Sequence, residues 1–226
     1  MNLQVCVPYE KCPFKCPTCI ANGRETFKNL HNFYLEGYEE ALQELVDSRE
    51  FDNFVLTGNT EPTLNRHWLR DVLYILRNEQ TELQTRNYNL KGYNLKYLDI
   101  LAYSITDVKS YLNAWNFRKI EGTNRLVILL TKEFNFLTAE NFNPMGFEQI
   151  TFKVLQPTAD ETTNEYIERN RMTDLTEIHR IIERFNGSDV SVRIDTNCQD
   201  SHGRYIIFRE DGRTYDSWES VKPTIL

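Results

Sequence analysis

Cys12, Cys16 and Cys19 stand in the stretch Glu10-Lys-Cys-Pro-Phe-Lys-Cys-Pro-Thr-Cys-Ile20, separated by three and then two residues, and no second cysteine pair follows. Thiolates are soft ligands that select zinc or iron–sulfur clusters over hard cations. Pro13 and Pro17 stiffen the loop and remove two backbone donors from it. An ordinary [4Fe–4S] electron carrier uses four thiolates, one per iron, and a structural zinc site also closes with four ligands. Three cysteines on one short loop can hold three irons of a cubane and leave the fourth open to a substrate or cofactor. The count therefore points to chemistry at the metal, beyond storage of electrons. His31 could complete a zinc site instead, although it lies outside the usual short ligand spacing. A disulfide framework fits poorly, because five cysteines is an odd number and a chain of 226 residues needs no staples. Cys6 and Cys198 are single, and each reads as a buried small hydrophobe in a strand.

The elements that would position this loop alternate along the chain. Leu3 to Pro8 is a short apolar strand that runs straight into the cysteines, and Gly37 to Ser48 has helical spacing at Ala41, Leu42, Leu45 and Val46. Asn53 to Thr57 is a second strand, and Arg66 to Arg77 places Trp68, Leu69, Val72, Leu73 and Leu76 on one helical face. Further strands are expected at Glu82 to Arg86, Tyr97 to Ile105, Arg125 to Thr131 and Gln149 to Leu155, with short helices over Val108 to Asn116 and Leu137 to Phe142. Six strands with helices between them read as parallel βα units of a partial (β/α)6, TIM-like barrel of the α/β class. In such folds sites gather at the carboxyl ends of the strands. The cysteines, Gly58 to Pro62, Ser104, Lys132 and Gln156 all follow or end predicted strands, so they fall on one rim.

The triplet after a first strand, Thr57-Gly-Asn-Thr-Glu-Pro62 after a second, and Asp99-Ile-Leu-Ala-Tyr-Ser104 in the fourth resemble the radical S-adenosylmethionine (SAM) superfamily over roughly residues 3 to 156. The resemblance implies that Cys12, Cys16 and Cys19 hold a [4Fe–4S] cluster whose open iron is chelated by SAM. It implies that SAM is cleaved reductively to a 5′-deoxyadenosyl radical that abstracts hydrogen from a substrate. Gly58, Asn59, Thr60, Glu61 and Pro62 match the family's Gly-Gly-Glu-Pro segment, which takes the SAM ammonium, and Ser104 matches a position contacting its ribose or carboxylate. The segment departs from the pattern by Asn59 and by the additional Thr60. Thr18 stands where the family commonly has an aromatic residue beside adenine, which would leave Phe14 or Ile20 to pack against the base.

After Pro157 the chain is expected to form a helix from Asp174, as cap, to Phe185, a strand over Val190 to Ile194, and a hairpin from Tyr205 to Tyr215 turning at Asp211-Gly212. The domain reading is a single unit: a core over 1–156 and an extension over 157–226 that closes the barrel. The extension carries no further cysteine cluster. Tyr97 to Ser104, Phe152 to Gln156, Asp195 to Asn197 and Gly203 to Arg213 also resemble stretches of viperin-type nucleotide dehydratases. That resemblance implies a nucleoside triphosphate such as CTP as substrate, with Lys132, Lys153, Gln156 and Asn197 as candidates to hold it. A glycyl-radical activase or peptide-modifying enzyme, and a non-catalytic iron–sulfur or zinc module, stay open beside a small-molecule or nucleotide enzyme.

Composition narrows the class further. The net charge is −7, which argues against a large nucleic-acid footprint built on clustered Lys and Arg. The longest apolar stretch, Leu126 to Leu130, is far short of the roughly 20 residues of a membrane helix. The first residues carry neither a basic nor a long apolar segment of a secretory leader, so a cytoplasmic enzyme is expected. Such an enzyme would take its electron from a reduced donor such as flavodoxin or ferredoxin.

Overall fold

The computed structural model describes residues 1–6, 12–14, 16–19, 37–58, 61–157, 161–196 and 205–216. His31, Ile20, Asn59, Thr60, Asn197 and Cys198 lie outside them. Among the described residues the fold is α/β, built on one nine-stranded sheet. The first six strands are β1 (Asn2–Cys6), β2 (Asn53–Thr57), β3 (Gln80–Thr85), β4 (Ile100–Ile105), β5 (Thr123–Leu130) and β6 (Gln149–Val154). They lie side by side in chain order and every neighbouring pair is parallel. This is the partial barrel that alternation of strand and helix predicts.

The extension adds to both edges of that sheet. β7 (Ser191–Asp195) pairs in parallel with β6, and β8 (Tyr205–Phe208) pairs in parallel with β1. β9 (Thr214–Tyr215) folds back antiparallel on β8.

Two faces of the sheet differ in chemistry, and β5 makes the reason plain. Along it Asn124, Leu126, Ile128 and Leu130 are buried, while the alternate residues Thr123, Arg125, Val127 and Leu129 are half-buried. Successive side chains of a strand point to opposite faces, so one face packs fully and the other stays half-buried, with polar residues at its start. The packed face is covered by helices. α1 (Tyr38–Asp47) buries Tyr38, Leu42 and Val46, four residues apart, and the Tyr38 ring sits 4.9 Å from Phe208 on β8. α2 (Arg66–Ile75) buries Trp68, Leu69, Val72 and Leu73, and its first turn is capped by Asn65, whose side chain accepts from the Trp68 amide at 2.9 Å. α5 (Thr176–Phe185) buries Ile178 and Ile181, and Phe185 meets Phe142, which in turn meets Phe152 on β6.

The opposite face carries a polar floor. Arg125 pairs with Glu82 at 2.7 Å and donates to Gln149 at 2.8 Å, and Gln84 donates to Glu82 at 2.9 Å. These residues come from β3, β5 and β6, so the floor spans the middle of the sheet.

Several local expectations differ from the structure. No helix forms over Leu137 to Phe142; a 3-10 turn lies earlier, at Lys132–Phe134, because Asn141, Asn143 and Pro144 favour turns over a helix. The helix expected over Val108 to Asn116 is α3 (Val108–Leu112) followed by a 3-10 turn at Ala114–Asn116. The β3–β4 and β5–β6 connections carry no α-helix at all. α4 (Glu161–Asn170) was hidden, since only Thr163 and Ile167 are buried along it and its apolar periodicity is correspondingly thin. α5 begins at Thr176 rather than Asp174, whose carboxylate accepts from the Thr176 amide at 2.9 Å just outside the helix.

Candidate functional site

The three cysteines are half-exposed and form no disulfide among the described residues, and the Cys19 amide donates to the Cys16 carbonyl at 3.1 Å. Burial pushes the Cys12 thiol up, opposed by a hydrogen bond with the Phe14 backbone, and the nearby Cys16, Glu61 and Cys19 add to the rise. Cys12, Cys16, Cys19 and Glu61 thus share one neighbourhood. Among the described residues no three Cys, His, Asp or Glu side chains converge to hold a single metal ion. A cubane makes no such demand, since each of its thiolates meets a different iron.

Gly58 leaves β2 with φ +135°, and a Cβ added there would stand 3.0 Å from the Cys6 sulfur and 3.3 Å from the Cys6 Cα. The turn therefore needs glycine for conformation and for space. Gly58→Ala is expected to cost roughly 1–3 kcal/mol, read as a lowered midpoint in urea; an unchanged midpoint would show that the turn relaxes freely. Cys6 itself is fully buried at the end of β1, as a small hydrophobe would be, with its carbonyl taking the Tyr38 hydroxyl at 3.0 Å.

Glu61 is 5% exposed, and its carboxylate is heavily engaged. Oε1 accepts from the Thr63 amide at 3.2 Å, from the Thr63 hydroxyl at 2.8 Å and from the Thr85 hydroxyl, while Oε2 accepts from the Arg86 amide at 2.9 Å. Asn87 continues the knot, donating through its side chain to Thr63 Oγ1 at 3.0 Å and through its amide to Thr85 Oγ1 at 2.9 Å. Pro62 is buried beside it. The loop after β2 is thereby tied to the end of β3.

Arg86 is the residue that sequence reasoning passed over. Its Nη1 donates to the Cys16 sulfur at 2.6 Å, its Nη2 to the Thr106 hydroxyl, and the Asp107 carboxylate lies 3.9 Å away. The guanidinium also sits over the Phe14 ring at 5.4 Å. Burial works against its charge, and interactions with Cys16 and Tyr88 together more than offset this. The signal available was the polar alternation Glu82, Gln84, Arg86 in a strand whose other positions are Thr81, Leu83 and Thr85.

A cavity of about 210 Å³ opens at this point, lined among others by Pro17, Thr18, Arg86, Thr106, Thr131 and Tyr166. Two buried polar atoms on its lining residues, Arg86 Nε and Thr131 Oγ1, have no hydrogen-bond partner. Such orphans are rare, and beside a cavity they mark where a ligand atom is wanted. A larger cavity, about 670 Å³, lies in the β3–β4 connection around Tyr88, Lys91, Tyr93 and Arg118. It shares no lining residue with the first and none of the cysteines, so size alone does not identify the site.

The other expected residues are dispersed. Ser104 is half-buried on β4, and its carbonyl accepts from the Tyr88 hydroxyl at 2.8 Å; Thr106, two residues on, lines the cavity in its place. Lys132 donates to the Arg169 carbonyl at 2.5 Å at the end of α4, and Gln156 donates to the Thr196 carbonyl at 2.6 Å. Both tie the extension to the core. Lys153 stands on the polar face in register with Leu129 and Asp195.

The chain belongs to the 4Fe–4S single cluster domain family, whose model matches residues 3–123. The three thiols and the adjoining cation are a donor set that suits such a cluster. The fold resembles that of SuiB from Streptococcus suis, solved bound to S-adenosylmethionine, with a TM-score of 0.60 at 12% identity over 96% of this chain and 58% of that one. The chain thus spans a little over half the length of that protein. A radical SAM methyltransferase from Sphaerobacter thermophilus aligns over 69% of this chain and 54% of its own at 15% identity and a TM-score of 0.42. No curated protein matches in sequence. No helix among the described residues is long and apolar enough to cross a membrane.

Proposed function

We propose that the protein is a radical SAM enzyme in which Cys12, Cys16 and Cys19 hold a [4Fe–4S] cluster, SAM takes the open iron, and the substrate is a small molecule or nucleotide. The observation that carries this reading is the cavity bounded by the cysteine loop at Pro17 and Thr18, two of whose lining residues, Arg86 and Thr131, each carry a buried polar atom without a hydrogen-bond partner. When bound, a cluster reduced by one electron from a donor would pass that electron to SAM, which would break into methionine and a 5′-deoxyadenosyl radical able to remove hydrogen from a substrate.

The residues of the chain have separate tasks in this scheme. Arg86 Nε and the Thr131 hydroxyl donate to acceptors of the bound ligand. Each carboxylate oxygen offers about two acceptor positions; three donors crowd Oε1 of Glu61, while among the described residues only the Arg86 amide meets Oε2. Oε2 therefore has room for one further donor, the SAM ammonium. The cavity is smaller than the ~300–1,000 Å³ of an ordinary ligand site, so it suits the amino-acid end of SAM better than the whole cofactor. The floor of Glu82, Arg125 and Gln149 and the neighbouring Lys153 then face the substrate. Lys153 is the strongest candidate to hold a phosphate or a sugar hydroxyl, because no hydrogen bond to it competes among the described residues.

The test is anaerobic reconstitution with iron and sulfide, then dithionite and SAM, with 5′-deoxyadenosine measured in the presence of CTP, other nucleotides and candidate peptides. The expected result is 5′-deoxyadenosine above the substrate-free level with a nucleotide or another small molecule. Its absence in every arm, in protein carrying about four irons, would count against the enzyme reading; formation with peptides alone would move the substrate class.

A further inference from the structure

We infer that Arg86 sets the reduction potential of the cluster by donating a charged hydrogen bond to the Cys16 sulfur, an assignment that rests on the cluster reading above. Arg86 is 70 residues from Cys16 in sequence, yet its Nη1 touches the sulfur at 2.6 Å. The contact is held from several sides. The Arg86 amide is fixed by Glu61 Oε2 at 2.9 Å, Nη2 is spent on Thr106, and the guanidinium carbon lies over the Phe14 ring, 5.4 Å from its centroid. Its side chain is only 20% exposed. A planar fork pinned through Nη2 and set beside an aromatic ring presents its remaining N–H in a more fixed direction than a flexible lysine would.

The consequence follows from charge. Reduction adds one electron to the cluster and makes the thiolate-bound assembly more negative, so a cation on one ligand sulfur stabilises the reduced form more than the oxidised form. Net charge, hydrogen bonds to the sulfurs and solvent exposure are the terms that set such potentials. The site is half-buried, so water screens the effect only in part. Asp107, 3.9 Å from Arg86, also accepts from the Ser110 amide at the start of α3, and it opposes the guanidinium without contacting the sulfur. Arg86 is in this sense a positioning and tuning residue. Its readout is a potential.

The experiment is an anaerobic redox titration of the reconstituted protein with dithionite, the reduced cluster followed by electron paramagnetic resonance, in wild type, Arg86→Gln and Arg86→Lys. Arg86→Gln is expected to make one-electron reduction about tenfold less favourable, a midpoint lower by ~59 mV, with Arg86→Lys between the two. A merely structural arginine would alter iron loading and leave the potential of loaded protein alone. Arg86→Gln that loads fully and titrates with the wild type, or shifts upward, overturns the inference. Should Arg86→Gln fail to load, Arg86→Lys decides: a midpoint below wild type supports the assignment, and an equal one, or no loading in either variant, overturns it. Wild-type protein that takes up no cluster would instead refute the cluster reading itself.

Discussion

Cys16→Ala is expected to lose the cluster altogether, with bound iron falling from about four per chain to background and the charge-transfer absorbance of the holo protein disappearing. The loop has three thiols and no fourth that could substitute, so removing one leaves two ligands for a cubane. Cys16 is also the thiol with a cation against it, through Arg86 Nη1 at 2.6 Å. Its removal therefore leaves the guanidinium without that acceptor as well as the iron without a ligand. Cys6→Ala is the matched control, because Cys6 is fully buried at the end of β1 and packs against Gly58. That variant should bind iron like the wild type, at some cost in stability. Full iron content in Cys16→Ala would remove the triplet from the cluster site.

Glu61→Ala is expected to lower folding stability by about 3 kcal/mol or more before any effect on SAM is reached. Two backbone amides, of buried Thr63 and partly buried Arg86, and two threonine hydroxyls, of Thr63 and Thr85, donate to this one carboxylate. The hydroxyls can turn to other acceptors, but the amides cannot, and each buried donor left unpaired costs about 1–3 kcal/mol. Urea denaturation of the apo protein checks this directly, since no ligand enters. A midpoint equal to that of wild type would mean that water or rearrangement satisfies the knot. From the sequence alone Glu61→Ala reads as a pure ligand-binding variant, with the cluster kept and SAM weakened. The structure adds that the same carboxylate joins the loop after β2 to the end of β3, so SAM affinity must be compared at equal folded fraction.

How much was legible depended on whether the signal was local. β1, β2 and β4 to β6 are apolar runs or alternations bounded by turn residues, and each lies within a few residues of its expected place. α1, α2 and α5 repeat apolar side chains every three or four residues and were equally readable. α4 was not, because a helix that buries only Thr163 and Ile167 has too few apolar positions to show a period. The same holds at the site. The cysteine spacing and the Gly58 turn are local patterns. Arg86, Thr106, Thr131 and Tyr166 are single polar residues whose importance comes from neighbours far along the chain.

By itself the sequence determined that three soft ligands share one loop, that the first six strands are parallel, and that the cysteines and Glu61 follow strands. Those properties follow from spacing and periodicity, which the chain carries before it folds. Only the tertiary structure decided what those strand ends bring together. Parallel pairing of β1, β2 and β3 in consecutive register sets the ends of the three strands side by side. That places the Arg86 amide on Glu61 and the Arg86 guanidinium on Cys16, so that one residue links the carboxylate and the thiol. No spacing rule contains that contact, because the sheet creates it.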